Sequence, residues 1–170
     1  MKRRLTLLVA SVLAVFLALP VAVASAGGGR KILSFDELAP VTEPYTGAGN
    51  AIRGVPGGGL PWEIESAQGD LRSDGRLQIT VEGLVLARRA PVPVERQGTN
   101  PAPGFKAVVS CLSASPEGTA TTVNVATATA PATSAGDAVI KDKVRLPSSC
   151  LAPIVFVTSP DGAWFAVTGQ

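Results

Sequence analysis

Histidine is absent from all 170 residues, and this closes more chemistry than any other feature of the composition. Without an imidazole there is no Ser-His-Asp or Cys-His nucleophile pair, and the commonest general base is gone. Two cysteines are too few to complete a zinc site by themselves, so no metal and no cofactor are expected. Aromatic residues make up only 5% of the chain, with a single tyrosine and a single methionine. No asparagine stands in an N-x-S/T acceptor site. Eighteen glycines and 14 prolines work against long helices, yet they do not recur with the period of collagen. These absences leave a turn-rich globular chain without a familiar catalytic constellation, and an enzyme is not the expectation.

What is present begins with the N-terminus. Lys2, Arg3 and Arg4 precede an apolar run from Leu5 to Leu19, which closes at Pro20 before Ala22-Val23-Ala24-Ser25-Ala26. A basic cluster, an apolar stretch and a small-x-small tail form the three zones of a secretory signal peptide. Residues 1–26 are therefore expected to be removed, with Ala24 and Ala26 in the cleavage positions. The run is short for a membrane anchor, and no cysteine near the cleavage region invites a lipid. Cleavage would also change the electrostatics. The leader takes three of the 15 basic residues, leaving 12 against 13 acidic ones and a formal charge of −1 instead of +2. A general nucleic-acid role then has no electrostatic footing, and no membrane span would remain. Export also places Cys111 and Cys150 in an oxidising compartment, where two thiols in a small domain pair. A Cys111–Cys150 disulfide is expected.

The remaining residues divide into 27–59, an irregular Gly/Pro-rich arm, and 60–170, a β domain. The arm is expected to be extended and partly disordered, with a helical turn after Ser34 as the alternative for its apolar patch Ile32–Leu38. From Leu60 onward, short runs with period-two alternation are separated by turn residues. Trp62, Ile64 and Ser66 are assigned to one face, and Glu63, Glu65 and Ala67 to the other. Ser73-Asp74-Gly75 reads as a hairpin turn into Leu77, Ile79 and Val81, the clearest half-buried strand. Gly83 marks a bulge, and Arg88 to Pro103 is a surface loop. Phe105, Ala107, Val109 and Cys111 share a core face while Lys106 and Ser110 point away. Thr121–Thr129 suits an edge strand. Ala138, Ile140, Val144 and Leu146 face inward, broken by Asp142, which requires a bulge or an edge position. Ile154–Val157 reads as a central strand that turns at Ser159-Pro160-Asp161-Gly162 into a partner spanning Ala163–Thr168. About eight strands and no long helix give an all-β fold: a single antiparallel sandwich, Ig-like in broad layout.

Candidate chemistry is sparse. Glu63 and Glu65, two apart beside Trp62, have the residue types of a glycosidase carboxylate pair, but the plainer reading is a solvated strand face. Lys141, Lys143 and Arg145 form a basic stripe that would suit an acidic polymer and equally suits a strand edge kept soluble. Trp62 and Trp164 have the chemistry of glycan-stacking platforms, though tryptophans in a domain of this size more often pack the core. Gly47-Ala48-Gly49-Asn50 and Gly57-Gly58-Gly59 lack the spacing and the following helix of a nucleotide loop.

Three segments, Ile52–Trp62, Asn100–Cys111 and Ala152–Gly169, resemble an uncharacterised group of small secreted bacterial β-domain proteins of the actinobacterial type. The resemblance implies export and a compact β domain, and it carries no catalytic residue onto any position. The functional expectation is a secreted, non-enzymatic binding or structural module of the cell envelope or extracellular space, with a cell-wall polymer or a partner protein as its ligand. The alternative is a histidine-free hydrolase acting on glycans through its acidic residues.

Overall fold

A computed structural model describes residues 28–115 and 117–169. The signal-peptide assignment, with Ala24 and Ala26, lies outside these residues. The described chain is all-β, with twelve strands, eight of them five residues or longer, and one 3₁₀ turn at Val94–Arg96. None of its helical segments is long and apolar enough to cross a membrane.

Two main antiparallel sheets enclose the core. The first has four strands in the order β1 (Lys31–Phe35), β4 (Ser66–Arg72), β5 (Arg76–Glu82), β10 (Ala138–Lys143). The second runs β2 (Leu38–Pro40), β12 (Trp164–Thr168), β11 (Leu151–Thr158), β7 (Gly104–Ala114), β8 (Ala120–Ala126). A two-residue strand β9 (Ala130–Pro131) also pairs with β7, and β3 (Trp62–Glu63) with β6 (Val85–Leu86) forms a separate ribbon. Leu71, Leu77, Ile79, Val81 and Ile140 from the first sheet meet Phe105, Ala107, Val109, Val155 and Val157 from the second in one continuous core. Burying each of the larger side chains contributes roughly 1.5–3 kcal/mol.

Several assignments follow directly from the alternation. Leu77, Ile79 and Val81 are buried between exposed or half-buried neighbours, as a strand with one core face requires. The hairpin from β4 to β5 turns at Ser73–Gly75, where Gly75 has φ +85° and a Cβ would collide with the Val144 carbonyl. Phe105, Ala107, Val109 and Cys111 are fully buried. Strand β8 forms an edge, and β11 is central with β12 as its hairpin partner. Cys111 and Cys150 are joined. That disulfide links β7 to the approach of its in-sheet neighbour β11, whereas the immunoglobulin bridge spans the two sheets.

The segment expected to be an irregular arm is instead integral to the domain. Lys31–Phe35 adds β1 beside β4, and Leu38–Pro40 adds β2 beside β12, so neither a disordered stretch nor a helical turn occurs there. The rest of the segment is a strap. It leaves the edge of β12 after Val41 and returns to it at Pro56–Gly58, where the Trp164 N–H donates to the Pro56 carbonyl and the Gly58 N–H to the Trp164 carbonyl. In between, Arg53 donates to the carbonyls of Ser110 on β7 and Ala152 on β11, while Asn124 on β8 donates to the Arg53 carbonyl. A segment touching β12, β11, β7 and β8 in turn must lie across their outer face. Ser110, expected to point to solvent, is therefore buried, along with Val108 and Phe156 on the same side.

Two local expectations change as well. Alternation does not run unbroken from Trp62 to Ala67: β3 stops at Glu63, β4 starts at Ser66, and Trp62 and Ala67 are both buried. Gly83 ends a strand instead of bulging it. At φ +64° it turns the chain out of the first sheet, and the Leu84 N–H finds the Gly136 carbonyl.

Candidate functional site

The aromatic and acidic candidates are tied into the structure. Trp62 is buried and stacked on Phe165, with ring centroids 3.8 Å apart, so it packs the core and is no exposed platform. Trp164 is buried under the strap beside Phe156. Glu63 pairs with the Arg88 guanidinium, and its second oxygen accepts the Arg88 N–H at 3.1 Å. Glu65 remains exposed, and both glutamates border an open depression of about 640 Å³ that also includes Asp137. Asp137 is committed too, accepting the Gly83 N–H at 3.0 Å and the Thr133 hydroxyl at 3.1 Å. These carboxylates fasten loops to strand ends. Among the described residues, no three carboxylate or cysteine side chains gather as metal ligands would.

The basic candidates fare differently. Strand β10 forms one edge of the four-stranded sheet and pairs with β5 in unbroken register, so Asp142 is accommodated by its edge position without a bulge. Its carboxylate accepts the Ala128 N–H at 2.8 Å and the Lys143 N–H at 2.7 Å. Those two hydrogen bonds, Ala128 first, hold its pKa below the ordinary aspartate value. Lys141 and Lys143 project to solvent and make no ion pair among the described residues. Arg145, past the strand end, is exposed beside the Ser73–Asp74 turn.

Register then assembles what the stripe alone does not show. Lys143 lies opposite Arg76 and Lys141 opposite Gln78. Arg72 and Arg76 flank the hairpin turn, and Lys31 on β1 lies opposite Arg72. The row Lys31, Arg72, Arg76, Lys143 thus crosses all four strands at one end of the sheet. A second row of Ser34, Asp70, Gln78 and Lys141 lies beside it. Asp70 sits 3.7 Å from both Lys31 and Arg72, and Asp74 lies 3.4 Å from Arg76. Asp74 is held below its ordinary pKa first by the Gly29 N–H, then by the Arg76 N–H and the charges of Arg76 and Lys143.

The opposite ends of the same strands are acidic. Strand β5 runs from Arg76 to Glu82, β4 follows Glu65 and ends at Arg72, and β10 follows Asp137 and ends at Lys143. Antiparallel pairing aligns these gradients, so a chain of nearly balanced charge carries a polarised sheet face. Two shallow depressions occupy that face. One, of about 510 Å³, is bordered by Lys31, Ser34, Gln68 and Asp70; the other, of about 270 Å³, by Arg72, Arg76 and Lys141. The stripe on β10 does not by itself reveal Lys31, Arg72 and Arg76 as its neighbours. The available signal was the placement of Arg72 and Arg76 symmetrically about the Ser73–Gly75 turn, which forces them side by side.

No protein-family model, curated protein or solved structure matches the chain.

Proposed function

We propose that this protein is an exported, non-enzymatic binding or structural module of the bacterial cell envelope. The observation that carries this reading is the contrast between its two sheets. The strap closes the outer face of the larger sheet, whereas the outer face of the smaller sheet is, among the described residues, uncovered, mostly polar and regularly arrayed. A rigid sheet that presents side chains on one side suits holding an extended partner. The Cys111–Cys150 bridge favours an oxidising, extracytoplasmic setting. The N-terminal pattern of residues 1–26 and the likeness to small secreted actinobacterial-type β-domain proteins favour the same setting. The hydrolase alternative rests on Glu63 and Glu65, and the engagement of Glu63 with Arg88 leaves it less support.

Retention of the exported protein on isolated peptidoglycan, on wall polysaccharide and on whole cells tests the reading. Its intact mass is expected to begin at Gly27 and to correspond to the oxidised cysteine pair. Binding to at least one of the three matrices is expected, and passage through all three overturns the envelope assignment.

A further inference from the structure

The polarised outer face of the four-stranded sheet points to a ligand class, and we infer that it binds a linear polyanion, a wall polymer carrying phosphate or carboxylate groups along its length. This inference rests on the envelope-module reading and makes it specific. Four cations, Lys31, Arg72, Arg76 and Lys143, stand on four adjacent strands. With strands about 4.8 Å apart, the row extends over roughly 14 Å. Lys141 extends the positive surface into the neighbouring row. A chain of anionic groups lying across the strands would meet one cation per strand.

Composition does not account for this clustering. Once the leader is set aside, acidic residues outnumber basic ones by one, so a random surface would carry no positive field. Lys141 and Lys143 make no ion pair among the described residues, although Asp74, 3.4 Å from Arg76, lies near enough to feel the charge of Lys143 as well, and Asp142, between the lysines in sequence, spends its carboxylate on backbone N–H groups. Asp70 offsets part of the charge of Lys31 and Arg72 while bridging them, which holds both at the surface. Edge protection explains lysines on β10, an edge strand. It does not explain arginines at facing positions on the interior strands β4 and β5. Phe35 is the one aromatic bordering the two depressions, half-buried and packed against the core; a single such ring offers no series of platforms for successive bases, which favours a wall polymer over single-stranded nucleic acid.

The test compares inorganic polyphosphate and polygalacturonate, one phosphate and one carboxylate polymer, with neutral dextran and a random-sequence DNA duplex. Affinity is measured against salt for the exported protein, for a Lys141→Gln, Lys143→Gln variant, and for a charge-matched Arg89→Gln, Arg96→Gln variant in the loop. Binding to at least one of the two polymers and none to dextran is expected. The lysine variant is expected to bind at least tenfold more weakly at low salt, with the slope of log K against log salt reduced by roughly two, one for each lost contact. The loop variant should retain the parental affinity. Equal loss in both variants would show a net-charge effect and overturn the site, as would tighter binding to the duplex than to either polymer. If the protein is retained on envelope preparations but binds neither polymer, the polyanion inference falls while the module reading stands; failure on both removes both.

Discussion

Opening the Cys111–Cys150 bridge should cost this domain about 4 kcal/mol. The perturbation best suited to measuring this is Cys150→Ser, because Cys150 is only partly buried whereas Cys111 is fully buried, and the variant leaves the Cys111 sulfur in place. The two cysteines are 39 residues apart in sequence. In the chain-entropy model a closed loop of that length removes about 13 cal/mol/K from the unfolded ensemble, or about 4 kcal/mol at 25 °C. The native side of the balance changes little, since β7 and β11 remain paired from Ser110↔Ile154 to Lys106↔Thr158 by their own ladder. Urea unfolding followed by tryptophan fluorescence provides the assay, with Trp62 and Trp164 both reporting on the core. At an m-value of about 2 kcal/mol/M, the midpoint should fall by about 2 M, and m itself should rise as the unfolded chain expands. A loss below about 1 kcal/mol with unchanged m would refute the argument that the bridge acts on the unfolded chain.

Two further outcomes follow from the hydrogen bonding. Buried Asn100 donates from its amide to the carbonyls of Ala102 and Thr133 and accepts the Ala102 N–H, so it ties the long loop to the segment before β10. Asn100→Leu orphans all three partners and should lower stability by roughly 3 kcal/mol, which urea titration would detect; a neutral substitution would show that the loop is not held there. Asp74 and Asp142 have folded pKa values below their unfolded ones. Their stabilisation is therefore complete above the unfolded value of about 3.9 and is lost as pH falls through the folded values. With no histidine to titrate between pH 5 and 8, thermal melts should show their loss only on the acid side of pH 4. Asp142→Asn should flatten that limb, and a steep loss between pH 5 and 7 would contradict the assignment.

What could be read from the residues was whatever local pattern decides. Alternation placed Leu77, Ile79 and Val81, and later Phe105 to Cys111, on core faces because a strand's side chains repeat every two residues whatever its neighbours. The Ser73–Gly75 and Ser159–Gly162 turns were legible through their glycine and aspartate chemistry. Positions whose environment is set by distant chain were not legible. Ser110 looks like a solvent-facing serine until the strap, more than 50 residues away in sequence, covers it. Residues 31–61 carry little periodicity because β2 has only three residues and draws its register from β12. Glu63 and Glu65 suggested a matched pair, and the end of β3 with the reach of Arg88 separated their roles. The basic row is a property of sheet order, which alternation along single strands does not contain.

The pairing of β2 with β12 also governs how this chain acquires its structure. Among the described residues, Leu38–Pro40 pairs only with Ala166–Thr168, and the strap that follows closes on Trp164. The early strand therefore has no sheet to join until the last strand exists, and its closure spans nearly the whole domain, a contact order that slows folding. A chain crossing a membrane from its N-terminus would emerge with that strand and its strap unpaired until the C-terminal hairpin arrived. Completion of the larger sheet is thus timed by β12, whereas the β4–β5 hairpin and the β7–β8 pair can close before it is made.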